Sequence, residues 1–366
     1  MKKICFSIEC INVCGGTERV TSQLASALSD KYDISILSIE KLRDSLFFEM
    51  NEKIKIDYLF NYQIDNNLKK HYFEIVKRIR KYLKNNKINI LVAVDVSQLL
   101  FISLATVGLN TKVIAWEQFN SARSKESKVA FLSRKIASNR CDCIVTLTKE
   151  DREKYIELFS PKAKVQYIYN PLTPSLLNKK NNSVKDNTII SVGRLQYQKG
   201  FDMLLEVANI LFNEYRVSDW NWIIIGEGTK RKELEKKIQE YDLEKKVLLL
   251  GEQRDVSSYL NDSKIFVLTS RYEGFGLVIV EAQYFDLPVI SFDCDMGPRE
   301  LIKDGKNGYL IPCYDIRLMA KKIYELIRDS QKVNEFSENA TINIDQFNFG
   351  NIVNNWIDLI ENIESE

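Results

Sequence analysis

Apolar residues along this chain gather in short runs rich in β-branched side chains, separated by stretches whose apolar positions recur every three or four residues. KKICFSI, DISILSI, NILVAV, KVIAW and CIVTL form one set, and TIISVG, NWIIIG, KVLLLG, KIFVLT and PVISF a second. Runs that are apolar on both faces and alternate with helical patterns predict parallel sheets covered by helices on both sides. Between the sets lies IYNPLTPS, residues 168–175, where two prolines three positions apart interrupt any helical or strand pattern. The pattern therefore predicts an α/β chain with two doubly wound, Rossmann-like domains, 1–172 and 173–345. A closing helical segment, 346–366, carries Ile352, Val353, Trp356, Ile357 and Ile360 on one apolar face and is expected to pack back on the first domain. The apolar span 88–109 approaches membrane-crossing length, but Asp95, Ser97 and Gln98 break it, so it reads as a buried strand, a turn and a helix over 98–107.

Composition changes this picture only modestly. With 366 residues, 45% apolar and 28% charged, the chain has the makeup of a soluble globular protein too long for one core. The net charge of +2 conceals an asymmetry: residues 1–172 hold 28 Lys/Arg against 19 Asp/Glu, and the remainder is acidic. A basic half suits an anionic partner, such as a membrane surface or a diphosphate, and equally suits an ordinary solvated surface. Seven scattered cysteines, with no secretory leader pattern, read as free thiols in a reducing cytoplasm. A single histidine, His71, read as a surface residue, largely excludes Ser-His-Asp, Cys-His and multi-histidine metal chemistry.

Open parallel sheets bind ligands at the carboxyl ends of their strands, which directs attention to the loops there. After TIISVG comes RLQYQKG, in which Arg194 and Lys199 flank a turn bounded by Gly193 and Gly200, a pattern suited to a diphosphate or to a plain strand-to-helix turn. IIIGEGTK holds a glycine pair, Gly226 and Gly228, which is weak evidence by itself. After KIFVLTS comes RYEGFGLVIVEA: Glu273 lies in the loop, Gly276-Leu277 opens a helix, and Glu281 follows one to two turns in. A helix N-terminus presents open amides to an anion, and carboxylates on either side accept hydrogen bonds from hydroxyl groups. The pattern suggests a diphosphate flanked by two polyols.

EGFGLVIVEA resembles the E-x7-E motif of the retaining GT-B glycosyltransferases of family 4. The resemblance extends in order through VCGGTERV, GRLQYQKG, GEQRDV and PVISFDCDMGPREL, covering essentially the whole chain. It implies the GT-B fold, with two Rossmann-like domains facing a central cleft, an acceptor domain first and a nucleotide-sugar domain second. It further implies that Glu281 binds the nucleotide ribose and Glu273 the transferred sugar, while Arg194 and Lys199 clamp the diphosphate. Glu273, Arg194 and Lys199 are thus the catalytic candidates. Gly193, Gly274 and the backbone of Phe275, Gly276 and Leu277 would complete the cradle, Gly15 and Gly16 would approach from the first domain, and Gln253 and Arg254 would lie near the base. Where members of the family often carry a histidine, WEQFN has Gln118, a contact for sugar or acceptor or else a plain loop residue.

The resemblance implies front-face displacement with retention of configuration and no metal or other cofactor. Asp293-Cys294-Asp295 has the D-x-D form that holds a metal in a different transferase class, and is set aside here. UDP-galactose or UDP-N-acetylgalactosamine is the leading donor, ahead of UDP-glucose and UDP-N-acetylglucosamine. The expected partners are a nucleotide sugar, a lipid-linked saccharide acceptor in cell-surface polysaccharide assembly (capsule, exopolysaccharide or lipopolysaccharide), and the cytoplasmic membrane surface; no nucleic acid is expected. Basic segments 68–87 and 121–135 are the membrane-docking candidates, the first with a stripe of Tyr72, Ile75, Val76, Ile79 and Leu83 that equally suits a helix facing its own sheet. A non-catalytic nucleotide-sugar-binding protein, a phosphorylase and an epimerase are the alternatives.

Overall fold

The computed structural model describes residues 1–64, 68–177, 179–181 and 185–363. The chain divides into two compact units, one made of 1–170 with 350–366 and the other of 171–349. In the first unit the elements are β1 (Lys3–Ile8), α1 (Gly16–Leu28), β2 (Asp33–Ser38), β3 (Lys55–Tyr58), α2 (Leu68–Asn86), β4 (Ile90–Val94), α3 (Leu99–Ala105), β5 (Lys112–Trp116), α4 (Lys128–Arg140), β6 (Cys143–Thr146), α5 (Lys149–Phe159) and β7 (Lys164–Tyr167). The second contains β8 (Thr188–Val192), α6 (Phe201–Asn209), β9 (Asn221–Ile225), α7 (Arg231–Glu240), β10 (Val247–Leu249), α8 (Ser257–Asp262), β11 (Ile265–Leu268), α9 (Leu277–Tyr284), β12 (Val289–Phe292), α10 (Pro298–Leu301), β13 (Gly308–Ile311), α11 (Ile316–Ile327) and α12 (Ser330–Glu338). The last helix, α13 (Phe349–Asn362), belongs from Gly350 onward to the first unit.

Strand order is β3-β2-β1-β4-β5-β6-β7 in the first unit and β10-β9-β8-β11-β12-β13 in the second, with every pairing parallel. Each order reverses direction once, at β1/β4 and at β8/β11, and such switch points open a crevice at the strand carboxyl ends. The ten runs of the sequence all become strands, and the structure adds β3, β7 and β13. KIDY and KVQY are half-exposed edge strands, so only part of each needed to be apolar. GYLI begins with a glycine and is also an edge strand. The expectation that every strand is buried on both faces likewise fails at the edge strand β10, where Leu248 is exposed.

Period-two alternation sorts side chains between the faces of the first sheet. Cys5 and Ala115 join the core formed with α2 to α5, whereas their neighbours Phe6 and Trp116 lie on the opposite face. There Trp356 of α13 packs edge-on against Trp116 at 4.8 Å. Lys2 and Tyr32 bind Glu361 at 2.7 and 2.6 Å and so fix the far end of that helix. Ile75, Ile79 and Leu83 of α2 are fully buried in the core with α3. That stripe is therefore internal packing, which removes it as a lipid-docking face. His71 lies edge-on to the Phe60 ring with its side chain 29% exposed, in keeping with its reading as a surface residue. All seven cysteines are free thiols, and no helix among the described residues is long and apolar enough to cross a membrane.

Candidate functional site

Four neighbouring strands of the second unit deliver their carboxyl-end loops side by side. Gly193 donates to Ile225 O and Gly226 to Gly251 O, both at 2.9 Å, so the loops after β10, β9 and β8 are joined in sequence. A Cβ on Gly226 would lie 1.9 Å from Gly193 O, so this close approach admits no side chain, and its φ of +147° is one that glycine adopts readily. The RLQYQKG turn ends at Gly200, φ +64°, where a Cβ would strike Thr269 O at 2.1 Å. The Thr269 hydroxyl in turn donates to the Lys199 and Gly200 carbonyls. Tight backbone contact thus locks the turn carrying Lys199 to the end of β11.

The result is an ion pair: Lys199 Nζ stands 2.7 Å from Glu273 Oε1, with both side chains largely buried. Ser270 Oγ donates to the same carboxylate oxygen at 2.6 Å. An ammonium has three donors, so Lys199 can hold Glu273 and still present hydrogens to an anion. Arg194 is exposed and its guanidinium makes no ion pair among the described residues, leaving its donors open. Gly276 caps α9 at φ +87° without a side-chain cap, so the helix begins with unsatisfied amides and the positive end of its dipole. Phe275, buried against Phe347, anchors this loop, and Gly297 packs so closely beneath it that a Cβ would meet Phe275 O at 2.1 Å. Gly274 and Leu277 flank the same turn, between Glu273 and the first helical residues.

Glu281 lies on the fifth residue of α9, 2% exposed, and accepts a hydrogen bond from Thr173 Oγ1 at 2.7 Å. The sequence reading missed Thr173: in PLTPS it carries only a turn signal, and its role depends on a partner 108 residues away. It also missed a brace behind the ion pair. Arg271 makes a two-pronged bond to Asp202 at 2.8 and 2.6 Å, donates to Tyr197 O at 2.7 Å and stacks its guanidinium on the Tyr197 ring. Its amide donates to Gln198 O, and the Gln198 side chain donates back to Tyr272 O. Gln253 and Arg254 lie in the loop after β10, with the Gln253 amide turned back onto Leu250 O at 3.0 Å and Arg254 exposed. Asp293 is engaged by Arg299, and the Asp295 carbonyl accepts from the Glu273 amide of the neighbouring loop at 3.4 Å. No group of three metal-ligating side chains occurs among the described residues.

Gly15, Gly16 and Gln118 belong to the first unit. Gly15 is extended and Gly16 opens α1; a Cβ on Gly16 would meet nothing within 4 Å, whereas one on Gly15 would strike the Glu18 carboxylate. Gln118 follows β5, is 7% exposed, and its Nε2 has no partner among the described residues. Its loop is held rigidly: Glu117 forms a buried two-pronged pair with Arg134 at 2.7 and 3.0 Å, and Asp151 accepts from both the amide and the hydroxyl of Ser121. Burial pushes the Glu117 and Asp151 carboxyls upward, with Arg134 opposing the shift, and Asp95 after β4 is raised by burial as well. A buried donor on a fixed loop is a ready partner for a ligand oxygen.

Comparison with known proteins bears on the whole chain. Residues 14–176 match the family model described as Glycosyltransferase Family 4, and residues 174–342 match Glycosyl transferases group 1. An uncharacterized glycosyltransferase of Haemophilus influenzae is 36% identical, over 97% of this chain and 99% of its own length. The Campylobacter jejuni α-1,4-N-acetyl-D-galactosaminyltransferase that acts on a GalNAc-GalNAc-diNAcBac-PP-undecaprenol is 29% identical over the full length of both chains. Among solved structures, a mutant of S. aureus TarM in complex with fondaparinux, α-GlcNAc-glycerol and UDP superposes with a TM-score of 0.82 at 18% identity, covering 98% of this chain and 99% of that one. Its likeness extends to the GT-B fold. Two family matches laid end to end and a near full-length relative leave one assignment: the chain belongs to the family 4, group 1 glycosyltransferases.

Proposed function

We propose that the protein is a retaining glycosyltransferase that moves a hexose or N-acetylhexosamine from a UDP-sugar to a lipid-linked saccharide during bacterial cell-surface polysaccharide assembly. One observation supports the reading above the others: Lys199 and Glu273 paired at 2.7 Å beside the uncapped start of α9, with Glu281 on the same helix. In this reading Glu281 accepts from ribose hydroxyls and Glu273 from the transferred sugar. Lys199, Arg194 and the α9 amides take up charge that develops on the departing diphosphate, the logic of an oxyanion hole. No carboxylate acts as nucleophile; the leaving oxygen accepts the acceptor's proton. Gln118 Nε2 is assigned to a hydroxyl of sugar or acceptor.

The UDP donor is supported by the UDP bound in the TarM complex, and the N-acetylgalactosamine preference and lipid-linked acceptor by the C. jejuni relative. UDP-galactose stands beside UDP-N-acetylgalactosamine as the leading donor. Incubation of the purified protein with UDP-galactose, UDP-N-acetylgalactosamine, UDP-glucose and UDP-N-acetylglucosamine, with UDP release as readout, tests this without the acceptor. Slow hydrolysis of one donor, lost in Glu273→Gln, is the expected result. Absence of hydrolysis and of UDP binding across the panel refutes the donor class.

A further inference from the structure

Helix α13 carries asparagine where a surface helix ordinarily carries longer side chains. Its 14 residues include Asn351, Asn354, Asn355 and Asn362 and no lysine or arginine. Asparagine is a poorer helix former than lysine, glutamate or glutamine, so these amides do nothing for the helix itself. One face, with Ile352, Trp356, Leu359 and Ile360, is buried. Beside it Asn355, Asp358 and Asn362 follow at intervals of three and four residues, all exposed, and so line up along the helix. Together with the edge strand β7 this ladder borders a groove of about 370 Å³. The stretch of α13 from Asn355 to Ile363 is about 12 Å long, and that of the strand from Lys164 to Ile168 about 13 Å. The groove is apolar where Cys143, Ile168, Leu359 and Ile363 line it, all buried. Its polar lining is Asn355, Asp358 and Asn362 from the helix and Gln166 from the strand, with the Tyr167 ring beside them. None of those four polar side chains has a hydrogen bond or ion pair among the described residues.

We propose that this groove is a second, noncatalytic site that binds a neutral oligosaccharide. A sugar ring has apolar C–H faces and a rim of hydroxyl groups. The apolar lining and the Tyr167 ring suit the faces, while the amides and the Asp358 carboxylate suit the rim, because an amide donates and accepts at once and a carboxylate accepts on both oxygens. Charge excludes a phosphorylated ligand. Asp142, also in the lining, is taken by Lys112 at 3.0 Å and by the Val113 amide at 2.8 Å, which leaves Lys164 and Asp358, one charge of each sign. A peptide added to β7 would need pockets for alternate side chains, whereas the groove presents a row of side-chain amides. The site is separate from the crevice at β1/β4: β7 lies three strands beyond β4, about 14 Å across the sheet, and Gly15, Gly16 and Gln118 take no part in the groove. The inference goes beyond the proposed transfer reaction and does not depend on the donor. A saccharide chain held there stays at high effective concentration for its next encounter with the enzyme.

The test is saturation-transfer NMR and hydrogen exchange on the full chain with maltotriose, triacetylchitotriose and an α-1,4-linked N-acetylgalactosamine disaccharide, with fondaparinux as a polyanionic control. No nucleotide sugar is present, so failure of the groove and failure of the donor assignment are read separately. At least one neutral saccharide should bind wild type and slow exchange in residues 164–168 and 355–363. Asn355→Ala/Asn362→Ala and Gln166→Ala/Asp358→Ala should each raise its Kd about tenfold or more, the effect of losing two hydrogen bonds. The first variant should melt near wild type, since both side chains are exposed and alanine is the better helix former. The proposal is overturned if no neutral saccharide binds, if protection is confined to other segments, or if both variants keep wild-type affinity. It is also overturned if fondaparinux occupies the groove as tightly as the neutral saccharides. A dimer seen by size exclusion that both variants dissolve would overturn it too, since the groove would then be covered by a second copy of this chain.

Discussion

Replacing Lys199 by methionine tests whether the ion pair is an energetic unit. The change leaves the Glu273 carboxylate, 4% exposed, with the Ser270 hydroxyl as its remaining side-chain donor among the described residues. Removing one partner of a buried pair costs about 3–5 kcal/mol. The lower end applies because the Lys199 side chain is 15% exposed and the site is partly solvated. For a unit of this size each kcal/mol shifts the midpoint by about 2–4 °C, so the second unit should melt roughly 6–12 °C lower. Glu273→Gln should cost less, since the stranded ammonium reaches water. In the double variant Lys199→Met/Glu273→Gln no unpaired charge remains, and stability should recover by about 1–3 kcal/mol relative to the sum of the single losses. Activity should not recover: donor hydrolysis should fall about 100-fold or more in all three variants. Thermal and urea unfolding followed by fluorescence, with UDP release measured in parallel, gives both readouts. Additive stability losses, or a double variant that hydrolyses donor at the wild-type rate, would refute the reasoning.

Thr173→Val removes the hydroxyl that holds Glu281, and KM for the donor should rise about 10-fold with little change in kcat, the effect of losing a hydrogen bond to a charged group; an unchanged KM would show that Glu281 needs no such anchor. Arg271→Lys keeps the charge but loses the two-pronged bond to Asp202, so kcat should fall while UDP affinity changes little, and a wild-type kcat would remove Arg271 as a positioning residue. Glu117, pushed up to about 7 by burial, and Asp151, pushed to about 6, hold protons in the folded state that the unfolded chain releases at lower pH. Their contribution to stability is complete below the unfolded carboxylate range and is lost as pH rises through 6 to 7. The first unit should accordingly melt lower at pH 8 than at pH 5, with a flatter profile in Glu117→Gln; a rising profile contradicts the assignment. Donor hydrolysis should persist in EDTA, and loss of activity restored by manganese would overturn the metal-free reading.

The alternation of apolar runs and helical patterns was legible because parallel strands buried on both faces must be apolar throughout. KIDY, KVQY and GYLI escaped notice for the complementary reason, since an edge strand is half solvated and its composition is mixed. The α2 stripe carried two readings that sequence could not separate. Lipid and protein core place the same demand on a helix face, and only packing against the sheet shows that the core took it. On α4 the periodic signal was weak because the side chains facing the domain are small and polar while the large apolar ones face outward.

Local sequence by itself determined two α/β domains, the glycine-framed turns, and the start of α9 between Glu273 and Glu281, because each depends on neighbours within a few residues. Tertiary structure alone decided which oxygen faces which nitrogen: Lys199 on Glu273, Thr173 on Glu281, Arg271 on Asp202. These partners lie on separate strands or loops, and no local propensity encodes a distance between them. It is the parallel sheet, delivering its carboxyl-end loops side by side, that brings them within hydrogen-bonding reach.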